Sequence, residues 1–117
     1  MSDERRKQLL NALLNLEPGI EETYSALANM AWDCPTELVT LRTQHVASVL
    51  GRFIDGRIDG EYVERWANAI EAREDVAFDS AQEESLRHIL FVLANPELSQ
   101  PLSIQSATEF LEGLNRR

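Results

Sequence analysis

The stretch Asp55-Gly-Arg-Ile-Asp59-Gly60 has the spacing of the start of a calcium loop. Such a loop needs oxygen ligands at its first, third and fifth positions, glycine at the sixth and a bidentate glutamate at the twelfth. Asp55, Asp59 and Gly60 stand at the first, fifth and sixth positions. The third is Arg57, a cation where a carboxylate belongs, and the twelfth is Trp66, which has no ligand atom to give. No metal site is expected here. A second pair, Glu84 and His88, shares a helix face at i, i+4. It lacks the repeated Glu-x-x-His pattern of di-metal bundles. His45 and His88 read as boundary residues of helices rather than as ligands or bases. Cys34 is the single cysteine, so an intrachain disulfide and the common structural zinc motifs are excluded. There is no Gly-rich phosphate loop and no Gly-x-Ser-x-Gly. The chain is therefore expected to have no catalytic residues, no metal and no cofactor.

A turn between two helices accounts for every residue of the opening stretch. Gly56 suits the left-handed conformation that ends a helix. Asp59 suits the N-cap of the next, since its carboxylate can accept free first-turn N–H groups. Ile58 and Val63 have the spacing of a hydrophobic staple, and Glu61 complements the helix dipole. So short a corner predicts that its two helices pack antiparallel or at a steep angle. The second helix carries only Arg65 and Arg73 among Glu61, Glu64, Glu71 and Glu74, so it has no basic face and this is no DNA-reading motif.

The elements that position this corner follow from hydrophobic periodicity. A first helix is predicted over about residues 3–16, with Leu9, Leu10, Leu13, Leu14 and Leu16 on one face. Pro18-Gly19 breaks it, with Pro18 expected in the first turn of a second helix carrying Ile20, Tyr24, Leu27, Ala28 and Ala31. Residues 32–36 form a loop, and Pro35 starts a third helix that continues to about residue 54. Its stripe is Leu38, Val39, Val46, Val49, Leu50 and Phe53. Arg42 falls in that stripe and is expected to reach the edge, because burying an ion pair is costly. A fourth helix spans about 59–75 and buries Val63, Trp66, Ala67 and Ile70. A fifth runs over about 80–95, where Asn95-Pro96 stops it. Its face of Leu86, Ile89, Leu90 and Leu93 is widened by Phe91 and Val92, which predicts a central position. A short sixth helix follows Pro101-Leu-Ser103, with Ile104, Ala107, Phe110, Leu111 and Leu114 inward. No stretch alternates long enough to predict a strand. The expectation is an all-α, single-domain bundle of five or six helices over residues 1–117 with the fifth in the middle.

Charge narrows the partner class. The net charge is −9, and Arg5, Arg6, Lys7, Arg116 and Arg117 put much of the basic content at the two ends. Phosphates would be repelled, which excludes nucleic acid as the expected partner. A basic protein would be attracted and steered, although acidity also serves solubility. On the outer side of the predicted fourth helix Glu61, Glu64, Asn68, Glu71 and Asp75 follow one another at i, i+3 and i+4. Glu74 flanks them and Asp79 follows. These residues are the candidate partner-binding face, with a solvated surface as the alternative. Residues 89–94 are the longest apolar run, too short to span a bilayer. The N-terminal stretch lacks the apolar run of a signal peptide, so a cytoplasmic location is expected.

The run Phe53-Ile-Asp-Gly-Arg-Ile-Asp-Gly-Glu-Tyr-Val-Glu-Arg-Trp-Ala67 resembles the Gly-x-Ile-[Ser/Asp]-x-Glu helical corner of the self-protective colicin-like immunity proteins. That resemblance implies a small helical bacterial protein that binds and neutralises a partner toxin, often a basic nuclease. The blocks Trp66-Ala-Asn-Ala-Ile-Glu-Ala-Arg-Glu-Asp75 and Leu93-Ala-Asn-Pro-Glu97 look like uncharacterised small bacterial proteins, which imply no function. The preferred expectation is an acidic protein-binding module of the immunity-inhibitor type. Its rival is a structural subunit or homo-oligomer, with Tyr24, Trp32 or Trp66 as interface anchors.

Overall fold

Leucine spacing at the N-terminus builds the first element. Leu9, Leu10, Leu13 and Leu14 bury one face of α1 (Asp3–Leu14) in the computed structural model, which describes residues 3–29, 36–71, 73–98 and 101–115. The elements that follow are α2 (Ile20–Ala28), β1 (Val39–Leu41), α3 (Thr43–Ile54), α4 (Gly60–Glu71) and β2 (Val76–Phe78). A 3-10 turn (Ser80–Gln82), α5 (Glu83–Ala94) and α6 (Ile104–Asn115) complete the chain. Of the described residues 69% are helical, and the buried apolar ones form one core cluster, so the all-α bundle stands. The sixth helix is as long as the first, at 12 residues each.

Two short strands depart from the sequence expectation. β1 and β2 pair in parallel, with Val39 opposite Val76, Thr40 opposite Ala77 and Leu41 opposite Phe78. The predicted third helix thus begins too early and the fourth ends too late. Val39, Thr40 and Val76 are β-branched and fit a strand better than a helix. A strand of three residues is too short to show alternation. Parallel strands need a crossover, and α3, the corner and α4 supply it. Ala31, Trp32, Cys34 and Pro35 lie outside the described residues.

Helix ends follow local chemistry. Gly56, at φ +79°, closes α3: its N–H donates to Phe53 O at 3.0 Å and Arg57 N–H to Arg52 O at 2.9 Å. The Asp59 carboxylate accepts the Tyr62 N–H at 2.9 Å and caps α4. Arg42 lies at the N-terminal edge of α3 with its side chain largely exposed. Ser103 and Ser106 exchange backbone-to-hydroxyl hydrogen bonds of 3.1 and 2.9 Å at the start of α6. The second helix corrects one expectation: Gly19, at φ +81°, is its N-cap, so Pro18 precedes the helix instead of opening it.

α4 packs mainly along α5, α3 against α6, and α1 against α2. Val63, Trp66, Ala67 and Ile70 are fully buried as expected. The Trp66 indole N–H donates to Leu13 O at 2.8 Å, which satisfies a buried donor and ties α4 to the end of α1. α5 buries Leu86, Ile89, Leu90, Val92, Leu93 and Ala94, the largest buried set of any helix. Phe91 and Ile104, expected inward, are exposed at 44% and 59%.

The end of α1 is less local. Leu16 takes φ +48°, a left-handed region that disfavours a non-glycine residue by about 1–2 kcal/mol. Its buried side chain contributes roughly 1.5–3 kcal/mol, enough to hold it there. The Arg52 guanidinium donates from Nη1 to Leu16 O at 2.7 Å and from Nη2 to Asn15 O at 2.9 Å. α3 therefore caps the free carbonyls of α1. Arg52→Met is expected to lower stability by roughly 1–2 kcal/mol, the value of charged hydrogen bonds discounted for partial exposure. Urea denaturation checks this, and an unchanged midpoint would show that the cap contributes nothing.

Candidate protein-binding face

Because α4 presents its apolar stripe to α5 and α1, its opposite side must face outward. Glu61, Asn68 and Glu71 are exposed there, and Glu64 is half-buried. They form one ridge, since they recur at helical spacing. Glu61, Glu64 and Glu71 have no ion-pair partner among the described residues. Nearby arginines are already engaged. Arg65 pairs with Glu21 and stacks over the Tyr24 ring at 4.4 Å, and Arg87 pairs with Glu83 at 2.8 Å. Glu74 is exposed beyond the end of α4.

Asp75 does not belong to this ridge. α4 stops at Glu71, so the helical ladder that would carry Asp75 outward ends before reaching it. Asp75 is 0% exposed. Its Oδ2 accepts from Arg6 Nε at 2.8 Å and Arg73 Nη2 at 3.0 Å, and its Oδ1 accepts from Arg73 Nε at 2.9 Å. Its backbone carbonyl accepts the Leu38 N–H at 2.9 Å. Asp79 is also turned to a structural task. It accepts the Ala81 N–H at 3.2 Å, capping the 3-10 turn, and lies 3.7 Å from Arg42 Nη1. The seven candidates thus separate into a surface ridge of four, an exposed Glu74 beyond its end, a buried anchor and a cap.

Two clefts flank the ridge. One, of about 300 Å³, lies between α1, α2 and α4 and is lined by Leu13, Tyr24, Leu27, Arg65, Asn68 and Arg73, among others. The Tyr24 hydroxyl is buried without a hydrogen-bond partner among the described residues, and burial pushes its pKa up to about 12. The other, of about 200 Å³, lies between α4, α5 and α6. Glu61 and Glu64 stand on its wall.

The remaining candidates for chemistry occupy separate places. Glu84 and His88 are exposed on α5. His45 Nδ1 accepts the Arg42 N–H at 2.9 Å, a capping role at the start of α3. Burial and the Arg42 charge lower the pKa of His45, in keeping with a neutral acceptor. Asp55 is exposed and lies 3.5 Å from Arg57. Among the described residues no group of three His, Cys, Asp or Glu side chains is placed to hold a metal ion. Trp66, offered by the sequence as an interface anchor, is fully buried. No helix among the described residues is long and apolar enough to cross a membrane.

No family model, curated protein or solved structure matches this chain. No relative therefore carries a function over to it.

Only part of the candidate set was legible in the sequence. The ridge follows from helical spacing. The fate of Asp75 depends on Arg6, 69 residues away, which no local pattern signals. Burial pushes the Asp75 carboxyl up, but hydrogen bonds from Arg73 and Arg6, with their charges, outweigh it and hold the pKa below the usual 3.8. Its stabilising contribution is thus complete above that value and lost as pH falls through the lower folded value. Asp75→Asn is expected to lose about 3 kcal/mol at pH 7, since a buried charge partner is removed. Denaturation of both proteins across an acid series should show the gap narrowing below about pH 4. A gap independent of pH would mean that the carboxylate charge does not hold this site.

Proposed function

We propose that this chain is a non-catalytic acidic protein-binding module, of the immunity-inhibitor type, whose α4 ridge covers a basic surface of a partner protein. The observation that carries the reading is that Glu61, Glu64 and Glu71, on the outer side of α4, have no ion-pair partner among the described residues. Glu61 and Glu64, at i, i+3, repel each other and do not stabilise the helix they sit on. A cationic partner would relieve that repulsion and would be steered toward a chain of net charge −9. The same charge disfavours nucleic acid. The resemblance of residues 53–67 to immunity-protein corners points the same way. The proposed setting is the bacterial cytoplasm.

A second reading, a structural or homo-oligomeric subunit, is favoured by the exposure of Phe91, Leu98 and Ile104 at 44%, 75% and 59%. Light scattering at high concentration separates the two, since a strict monomer removes the homo-oligomer.

Affinity capture from source-cell lysate at low salt, with graded salt elution, tests the first reading. The expected result is a basic protein that binds stoichiometrically and elutes with rising salt. The triple variant Glu61→Gln, Glu64→Gln, Glu71→Gln should weaken that binding at least about tenfold while leaving thermal stability unchanged or slightly raised. Binding indifferent both to salt and to the triple change would reject the ridge as the site.

A further inference from the structure

The cleft between α4, α5 and α6 joins an apolar lining to two carboxylates. Most of its lining is apolar: Val92 and Leu93 from α5, Pro96, Pro101 and Leu102 from the α5–α6 connection, and Phe110 beside Ser106 on α6. Glu61 and Glu64 also line it, and among the described residues no basic side chain does. An apolar hollow beside two carboxylates with no ion-pair partner among the described residues matches a ligand with an apolar body and a positive charge close by.

Size decides what kind of ligand. Small-molecule sites typically enclose about 300–1,000 Å³. At about 200 Å³ this cleft falls below that range and suits a single large side chain. Anchor residues of this kind, buried in a pocket and ringed by polar contacts, carry much of the affinity of protein interfaces. A second copy of the chain is a poor occupant, because its net charge of −9 would meet the same carboxylates.

We infer that this cleft is an anchor pocket for a cationic partner segment, taking one large apolar side chain while an adjacent lysine or arginine pairs with Glu61 and Glu64. The inference rests on the proposed protein-binding role and adds to it the chemistry of the contacting segment. Charge steers the encounter, and the apolar anchor then slows dissociation.

Gly60 allows the pocket to be blocked without touching its charges. It lines the cleft at the first position of α4, and a Cβ placed there meets nothing within 4 Å. Its φ lies outside the left-handed region, so a side chain there brings no backbone strain. Gly60→Trp should fold, which circular dichroism checks, and should cover the hollow.

The probes are two peptides of equal charge, acetyl-Lys-Lys-Phe-Lys-Lys-amide and the same peptide with serine in place of phenylalanine. Titration is followed by amide shifts of the isotope-labelled protein. The phenylalanine probe should bind the native chain about tenfold more tightly than the serine probe, the size expected for burying one large apolar side chain. Shifts should cluster at Gly60, Glu64, Leu93, Leu102 and Ser106. Gly60→Trp should abolish the preference for phenylalanine while weak, salt-sensitive binding of both peptides persists. Glu61→Gln with Glu64→Gln should weaken both. Equal binding of both peptides to the native chain, at the ridge, would sink the pocket and leave the acidic-face reading intact. No binding of either would overturn both. A preference that survives Gly60→Trp, or shifts centred elsewhere, would reject the pocket alone. Self-association of the native chain that Gly60→Trp abolishes would also overturn the inference, by making a second copy the occupant.

Discussion

Asp75 is the point on which the architecture closes. Its carboxylate accepts from Arg6 on α1 and from Arg73 just beyond α4, while its carbonyl accepts from Leu38 at the entry to β1. One residue thus joins the N-terminal helix, the end of the α3–α4 crossover and both strands. A buried carboxylate is unfavourable unless its lone pairs are met and its charge is balanced. Two guanidinium groups meet both needs. The penalty for disrupting any one partner makes the arrangement selective, because alternative packings would leave a charge buried and unpaired.

The two strands are too small to stabilise much by themselves, since a two-stranded pairing is marginal without further packing. They fix where the crossover starts and ends. With β1 and β2 in register, α4 lies along α5 and its stripe of Val63, Trp66, Ala67 and Ile70 turns inward. The opposite side has nowhere to go but solvent. The Trp66 indole and the Arg52 guanidinium then hold the end of α1 against α4 and α3. Position and charge of the acidic ridge are consequences of this core.

A division of labour among acidic residues runs through the molecule. Asp59 and Asp79 cap helical turns, and Asp75 closes the core. Glu21 and Glu83 meet arginines at the surface. The short side chains of Asp59 and Asp79 reach local backbone N–H groups, whereas that of Asp75 meets two guanidinium groups. Glu61, Glu64 and Glu71 of α4 have no ion-pair partner among the described residues, and two of them, Glu61 and Glu64, stand beside an apolar hollow.

The sequence alone determined the helical class, the corner and the helical spacing of Glu61, Glu64, Asn68 and Glu71. Periodicity of apolar residues, the glycine and aspartate of the corner, and carboxylates at helical spacing act over a few neighbours, so one chain suffices to read them. Tertiary structure alone decided three things: that residues 39–41 and 76–78 are strands, that Asp75 is core, and that an apolar cleft lies under Glu61 and Glu64. Each depends on groups distant in the chain, as Arg6 is from Asp75 by 69 residues. Strand pairing, ion-pair burial and cleft shape are properties of elements brought together by packing, and no local pattern encodes which partner a residue meets.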